Sequence, residues 1–200
     1  MNPEQEYTYE DFQSKFNIVY LENTEYDPDL DVILDGNELT SEQIYIDSKQ
    51  VYDENTKFAS DYLTGGPYKS DHMKKMVIKW SSKETGFGIF AKQDLVKDTI
   101  LGSYTGKVNF GFGNADYVWA IPTKLIPVDP SQGKEIELGI DSSQAGNYLR
   151  FINHHDTGFN CKAILVPFDN RWYILYVTIR DIQKGEELLT NYGTKYFETR

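Results

Sequence analysis

The sequence predicts a compact domain that is mostly β with short helices, preceded by an acidic, partly helical flanking segment. Three observations carry this. Short apolar runs recur from Met76 onward, separated by Gly, Asn and Asp turn signals. Few stretches in that part place apolar residues at helical spacing. The charge is lopsided: residues 1–70 hold 16 of the 31 acidic side chains and only 4 of the 20 basic ones, so the remainder is nearly neutral although the chain carries −11.

The elements follow in order. Thr8 stands three residues before Asp11, a capping arrangement for a short helix, and Phe12, Phe16 and Val19 recur at helical spacing. Glu22–Gly36 is rich in Asp, Asn and Pro and reads as loop. A second helical piece is expected after Thr40 or Ser41, anchored by Ile44, Val51, Phe58 and Tyr62. Gly65-Gly66-Pro67 breaks it and divides a flanking segment, residues 1–70, from the main domain, residues 71–200. Strands are expected at Met76–Trp80, Ile89–Ala91, Thr99–Gly102, Tyr104–Phe110, Tyr117–Pro122, Ile136–Asp141, Ala163–Pro167 and Trp172–Ile179. Lys97-Asp98 and Gly111–Asn114 read as turns, and Asp169-Asn170 as a two-residue hairpin turn.

Composition narrows the function classes. A chain of 200 residues that is 40% hydrophobic can build a packed core, which argues against disorder. No apolar run reaches the length of a membrane span. Met1–Asp11 is acidic and tyrosine-rich, unlike a signal or transit peptide. Cys161 is the only cysteine, so no intramolecular disulfide and no cysteine-based zinc cluster can form, and a reducing, intracellular setting is expected. The acidic flank would attract basic partners and repel nucleic acid. It is equally compatible with a role in solubility alone.

Three segments carry chemistry: Gly86-Phe87-Gly88-Ile89-Phe90-Ala91, then Gly146-Asn147-Tyr148-Leu149-Arg150-Phe151-Ile152-Asn153-His154, then Gly185-Glu186-Glu187-Leu188-Leu189-Thr190-Asn191-Tyr192-Gly193. A glycine pair alone is weak, since such pairs occur in many turns. R-F-I-N-H followed about 40 residues later by G-E-E-L and Y-G, with Asp181-Ile182 just ahead, is specific. Over residues 74–198 the chain resembles the SET-domain family of protein lysine methyltransferases, in its compact, zinc-free form. The resemblance implies a β-clip-like fold of small twisted sheets. It also implies a C-terminal pseudoknot, in which the tail threads under the Asn-His loop, a rare kind of connection.

The activity it implies is in-line transfer of a methyl group from S-adenosylmethionine to a lysine amine. A free lysine has a pKa of about 10.4 and is protonated at neutral pH. A dry aromatic channel disfavours the charged form, and alignment of the reactants can supply on the order of 7–11 kcal/mol. By the resemblance, Gly86, Phe87 and Gly88 grip the cofactor through backbone groups, and Asn153 and His154 bind it. Arg150 supports that loop or pairs with the cofactor's carboxylate, which Tyr117 also contacts. Tyr192 points its hydroxyl at the transferring methyl, with Tyr104 beside it in the lysine channel. Tyr176 or Val177 falls where a channel residue tunes the number of methyls added, Val177 implying a roomier channel. Phe197, with Tyr196, would cover the adenine or the channel. No metal is expected, since His154 has no partner cluster at metal-ligand spacing.

The family's usual N-H-S-C-x-x-N pattern here reads Asn153-His154-His155-Asp156-Thr157-Gly158-Phe159-Asn160, one residue longer, and Asn191 replaces the usual aspartate before Y-G. A histone or another basic protein is the expected substrate, with residues 1–70 supplying a missing wall, in the nucleus or cytoplasm or after delivery into a host cell. The alternative is a SET-like interaction module without catalysis.

Overall fold

The computed structural model describes residues 4–65, 72–110, 115–125 and 136–193. The chain opens with helix α1 (Asp11–Phe16), strands β1 (Val19–Tyr20) and β2 (Glu25–Tyr26), and helices α2 (Pro28–Asp35), α3 (Gln43–Asp47) and α4 (Lys49–Leu63). Then come β3 (Met76–Ser82), β4 (Gly86–Ala91), β5 (Ile100–Ser103), β6 (Lys107–Phe110), β7 (Val118–Leu125), β8 (Ile136–Asp141) and β9 (Ala145–Gly146). A 3-10 turn, Tyr148–Phe151, leads to β10 (Asn153–His154), β11 (Cys161–Phe168), β12 (Arg171–Thr178) and β13 (Leu189–Thr190).

The strands form small separate sheets, in the orders β2-β6-β8-β7, β11-β12-β5, β3-β4, β1-β9 and β10-β13. The expected mostly-β architecture of small sheets is therefore what the chain adopts. The β11–β12 hairpin closes through Asp169 and Asn170, both at positive φ (47° and 55°). That is the primed turn whose twist suits a two-residue loop.

Strand β12 reads as almost unbroken apolar sequence because it is covered on both faces. Trp172, Ile174 and Tyr176 join the main core. Leu175 joins a second cluster with Ala59, Tyr62, Leu63 and Val166 under α4, with Tyr173 packed against it. Val177 is buried as well, opposite Lys162 on β11 and Ile100 on β5.

Residues 4–65 are knitted into the rest. Strand β1 pairs in parallel with β9, β2 pairs with β6, and Tyr7 bridges Ile78. Phe12 is wholly buried, with the rings of Phe16, Tyr20, Tyr148 and Phe151 at 5.2–6.1 Å. Burying one such side chain stabilises by about 1.5–3 kcal/mol. Asn170 donates to the carbonyls of Leu34 and Asn37 and accepts from the Leu39 N–H. Arg171 pairs with Asp31 and Asp35 on α2, both at 2.6 Å.

Several expectations change. Thr8 does not cap α1, whose N-cap is Glu10; instead Asp11 accepts from the Thr8 N–H (2.7 Å) and the Thr8 hydroxyl (3.5 Å). Glu22–Gly36 is not all loop: Pro28–Asp35 is helical, because Asp27 caps it through the Asp29 N–H and Pro28 supplies a helical φ at its first turn. Leu30 and Leu34, one turn apart, are its buried face. On α4 the anchors are Tyr52, Ala59, Tyr62 and Leu63; Val51 and Phe58 point to solvent, as does Val19 on β1. The Gly111–Asn114 turn and Gly66-Pro67 lie outside the described residues.

Candidate active site

The site is built where three sequence-distant segments meet. Strand β4 opens with Gly86 at φ 76°, a left-handed conformation that glycine tolerates, at the end of a tight turn braced by the Ser82 hydroxyl. One residue on, the Phe87 ring packs edge-on against Phe16 (5.0 Å), Tyr7 (5.5 Å) and Trp80 (5.4 Å). The ring is thus committed to the aromatic floor, and the Phe87 carbonyl accepts from Asn153 Nδ2 at 3.2 Å. Gly88 is glycine for space: a Cβ there would lie 2.1 Å from Glu187 Oε1.

Strand β10 runs parallel to β13, Asn153 opposite Leu189 and His154 opposite Thr190. The loop after β10 returns to the same strand. His155 N–H donates to the Thr190 carbonyl, and Asn160 N–H donates to the Leu189 carbonyl, both at 3.0 Å. Buried Asn160 also donates to the Glu187 carbonyl and accepts from the Leu189 N–H, both at 2.8 Å. The closing strand is therefore clasped from both ends of the 153–160 loop. The one-residue insertion is absorbed by a turn in which His155 Nδ1 accepts from the N–H groups of Thr157 and Gly158. Asn191 accepts from Gly193 N–H at 2.7 Å, so it shapes the Y-G turn in place of an aspartate.

Tyr192 is set against this clasp. Its backbone N–H donates to His154 Nδ1 (3.1 Å), its ring lies 5.3 Å from the His154 ring, and its hydroxyl donates to the Ile152 carbonyl at 2.5 Å. His154 Nε2 lies 2.8 Å from Asp156.

Tyr104, Trp119 and Tyr176 form an aromatic cluster with ring separations of 6.2–6.5 Å. The Tyr104 hydroxyl donates to the Tyr117 carbonyl (2.7 Å), and Tyr176 Oη accepts from Trp119 Nε1 (3.2 Å). Burial pushes both phenols well above their ordinary range, and the nearby Tyr192 hydroxyl adds to the effect. Tyr104 and Tyr176 thus share one buried neighbourhood, with the half-buried Tyr192 beside it. Arg150 stacks over the Tyr117 ring at 4.1 Å and donates from Nε to the Ser142 carbonyl at 2.8 Å, its pKa lowered mainly by burial.

Of the residues named from sequence, Gly88, Phe87, Asn153, His154 and Tyr192 are brought together directly. Tyr104 and Tyr176 meet beside them, and Tyr117 is tied to Tyr104 and Arg150. Of the pair Tyr176 and Val177, Tyr176 is the one packed with Tyr104 and Trp119, whereas buried Val177 makes no ring contact there. Phe197 and Tyr196 lie outside the described residues. Sequence reasoning gave no site role to Glu187, Ser81 or Trp119, and placed Asn160 only as the end of the 153–160 pattern. Glu187 sits inside a quoted motif, yet nothing in a linear pattern distinguishes a structural acid from one turned into a site. A separate cavity of about 540 Å³, lined by Leu39, Tyr45, Asp53, Phe168 and Asn170 among others, contains no motif residue. Among the described residues no His, Cys, Asp and Glu group could hold a metal ion.

The SET domain family model matches residues 86–193. Histone-lysine N-methyltransferase 2D of Homo sapiens is 26% identical over 147 residues, 69% of this chain and 2% of that protein. Histone-lysine N-methyltransferase ATXR5 of Arabidopsis thaliana is 29% identical over 134 residues, 63% of this chain and 34% of that protein. The chain thus spans a small part of the curated relatives it matches. A crystal structure of ATXR5 in complex with mono-methylated histone H3.1 superposes with a TM-score of 0.58 at 19% identity, covering 94% of this chain and 86% of the other, a likeness of fold.

Proposed function

Since the chain belongs to the SET-domain family, we propose that it is a protein-lysine N-methyltransferase that uses S-adenosylmethionine and acts on a histone or another basic protein. The single observation that carries this is the β10–β13 pairing, which puts Asn153, His154 and Tyr192 in one place beside Gly88. The methionine-end fit rests on Asn153: both of its amide hydrogens are spent, on Phe87 and Glu187, which leaves its oxygen to accept from a ligand.

S-adenosylmethionine supplies an electrophilic methyl on a positively charged sulfur when bound. The residues of the chain do the rest. Backbone groups of Gly86–Gly88 and the Asn153-His154 pair hold the cofactor, with Arg150 and Tyr117 toward its carboxylate. Tyr104, Tyr176 and Trp119 wall the lysine channel. Their buried, uncharged surfaces disfavour an ammonium and favour the neutral amine. The Tyr192 hydroxyl, fixed by Ile152, orients the amine for in-line attack.

The histone preference is supported by the names of the relatives and by the acidic first segment, which would favour a basic tail. Residues 4–65 act in this reading as an integral wall of the methyltransferase rather than a detachable domain. The nucleus is the compartment it suits. No helix among the described residues is long and apolar enough to cross a membrane.

A labelled-cofactor assay on a histone panel and a cell lysate tests the proposal, with Tyr192→Phe in parallel. Expected is transfer by the wild type and a loss of at least about 100-fold in the variant, the scale of one positioned catalytic group. Full activity of Tyr192→Phe would remove the role given to that hydroxyl. A wild type that neither binds the cofactor nor transfers methyl would leave the interaction-module reading.

A further inference from the structure

One carboxylate joins all three motif segments. Glu187 Oε1 accepts from Asn153 Nδ2 at 2.8 Å, and Oε2 accepts from Ser81 Oγ at 2.7 Å. Gly88 leaves the space that Oε1 fills. The side chain is half-buried, yet both partners are neutral, and among the described residues no Lys, Arg or His pairs with it. Holding a carboxylate partly out of water without a cation is costly. Two hydrogen bonds use only about half of its acceptor capacity.

The arrangement lacks a positive charge. Asn153 Oδ1 and the open lone pairs of Glu187 make a joined set of acceptors at the glycine cradle. A group with several N–H donors and a positive charge satisfies such a set; a phosphate or carboxylate does not. We infer that Glu187 is the counter-charge for the ammonium-bearing end of S-adenosylmethionine, and that it positions Asn153 for the same contact. This rests on the cofactor reading of the site given above.

The test uses the full chain and calorimetric titration with three ligands: S-adenosylmethionine, S-adenosylhomocysteine and 5′-methylthioadenosine. The first two carry the ammonium; the third keeps the adenosine and lacks the amino-acid end. Glu187→Gln is nearly isosteric and retains partners for Ser81 and Asn153. It should weaken the two ammonium ligands by about tenfold, the loss of one close charge contact, and leave 5′-methylthioadenosine within about twofold. An unchanged melting temperature is the second control.

Equal weakening of all three ligands, or none, would overturn the inference, the first because Glu187 would then be scaffold only. Glu187→Asp draws the charge back by one methylene and should show the same selectivity with a smaller loss. It carries the test if the Gln variant does not melt cooperatively. A wild type that binds none of the three overturns the cofactor reading and this inference with it. Wild-type binding with an unselective variant overturns the inference alone.

Discussion

Gly88→Ala turns the glycine cradle into a measurable quantity. The backbone at Gly88 is not left-handed, so alanine costs nothing there, and the whole effect comes from contact. The new methyl would stand 2.1 Å from Glu187 Oε1, where real Cβ atoms keep at least 3.0 Å. The carboxylate must retreat by nearly 1 Å, which breaks or stretches its bonds to Asn153 (2.8 Å) and Ser81 (2.7 Å). Each hydrogen bond to a charged group contributes about 1.5–3 kcal/mol. Some of that returns because the half-buried carboxylate regains water, so a net loss of roughly 2–4 kcal/mol is expected. For a chain of this size that lowers Tm by about 4–16 °C. The assay is a double-mutant cycle by thermal or urea unfolding. With Glu187→Ala already present the main obstacle is gone, only Asn153 Nδ2 at 3.0 Å is left to give by a few tenths of an ångström, and adding Gly88→Ala should cost less than about 1 kcal/mol. Simple additivity of the two losses would refute the contact account.

Stability should fall as pH rises above about 9: burial raises the Cys161 thiol from 9.0 to about 12 and holds Tyr104 and Tyr176 up as well, so the folded state keeps protons that the unfolded state releases. Urea unfolding between pH 8 and 11 checks this, and a flat profile would contradict it. Asn170→Ala should cost about 2–4 kcal/mol, through its bonds to Leu34, Asn37 and Leu39 and its left-handed backbone. Asn170→Gly should recover about 1 kcal/mol of that by relieving the backbone alone. If Tyr176 walls the lysine channel as proposed, Tyr176→Phe removes the hydroxyl that accepts from Trp119 and should raise the share of more highly methylated product, read by mass spectrometry; an unchanged distribution would place the product-determining residue elsewhere.

The strands were legible because their signals are local. Asp169-Asn170 flanked by apolar runs specifies a hairpin without any tertiary knowledge, and the structure has it with both residues at positive φ. Helix α2 was not legible in the same way. Its composition reads as loop, and only the Asp27-Pro28 start and the Leu30–Leu34 spacing betray a helix whose apolar face is two residues wide. The choice between Tyr176 and Val177 illustrates another limit. Both are buried, both lie on one strand, and only the packing of Tyr176 with Tyr104 and Trp119 separates them. Glu187 was invisible as a site residue because its meaning depends on Gly88, Ser81 and Asn153, which lie 34 to 106 residues away. Linear spacing carries no information on such a meeting.

The lopsided charge suggests an attachment, and the packing gives the acidic segment two unlike sides. Its inward side is aromatic. Phe16 touches both Phe87 and Phe151, at 5.0 and 4.8 Å, and Tyr7 touches Phe87 at 5.5 Å. Tyr9 N–H donates to the Tyr148 hydroxyl at 2.8 Å, across 139 residues. These contacts back the strand whose next residue is Gly88 and the turn that leads into Asn153. Its outward side carries Asp27, Asp29, Asp35, Glu38 and Asp47, all exposed, where charge costs little and acts at a distance. Cutting the segment away would therefore do more than remove an attractive field: it would uncover the hydrophobic floor on which the Phe87 carbonyl and Asn153 are aligned. A salt-dependent loss of substrate affinity and a salt-independent loss of cofactor affinity are the separate signatures of those two sides.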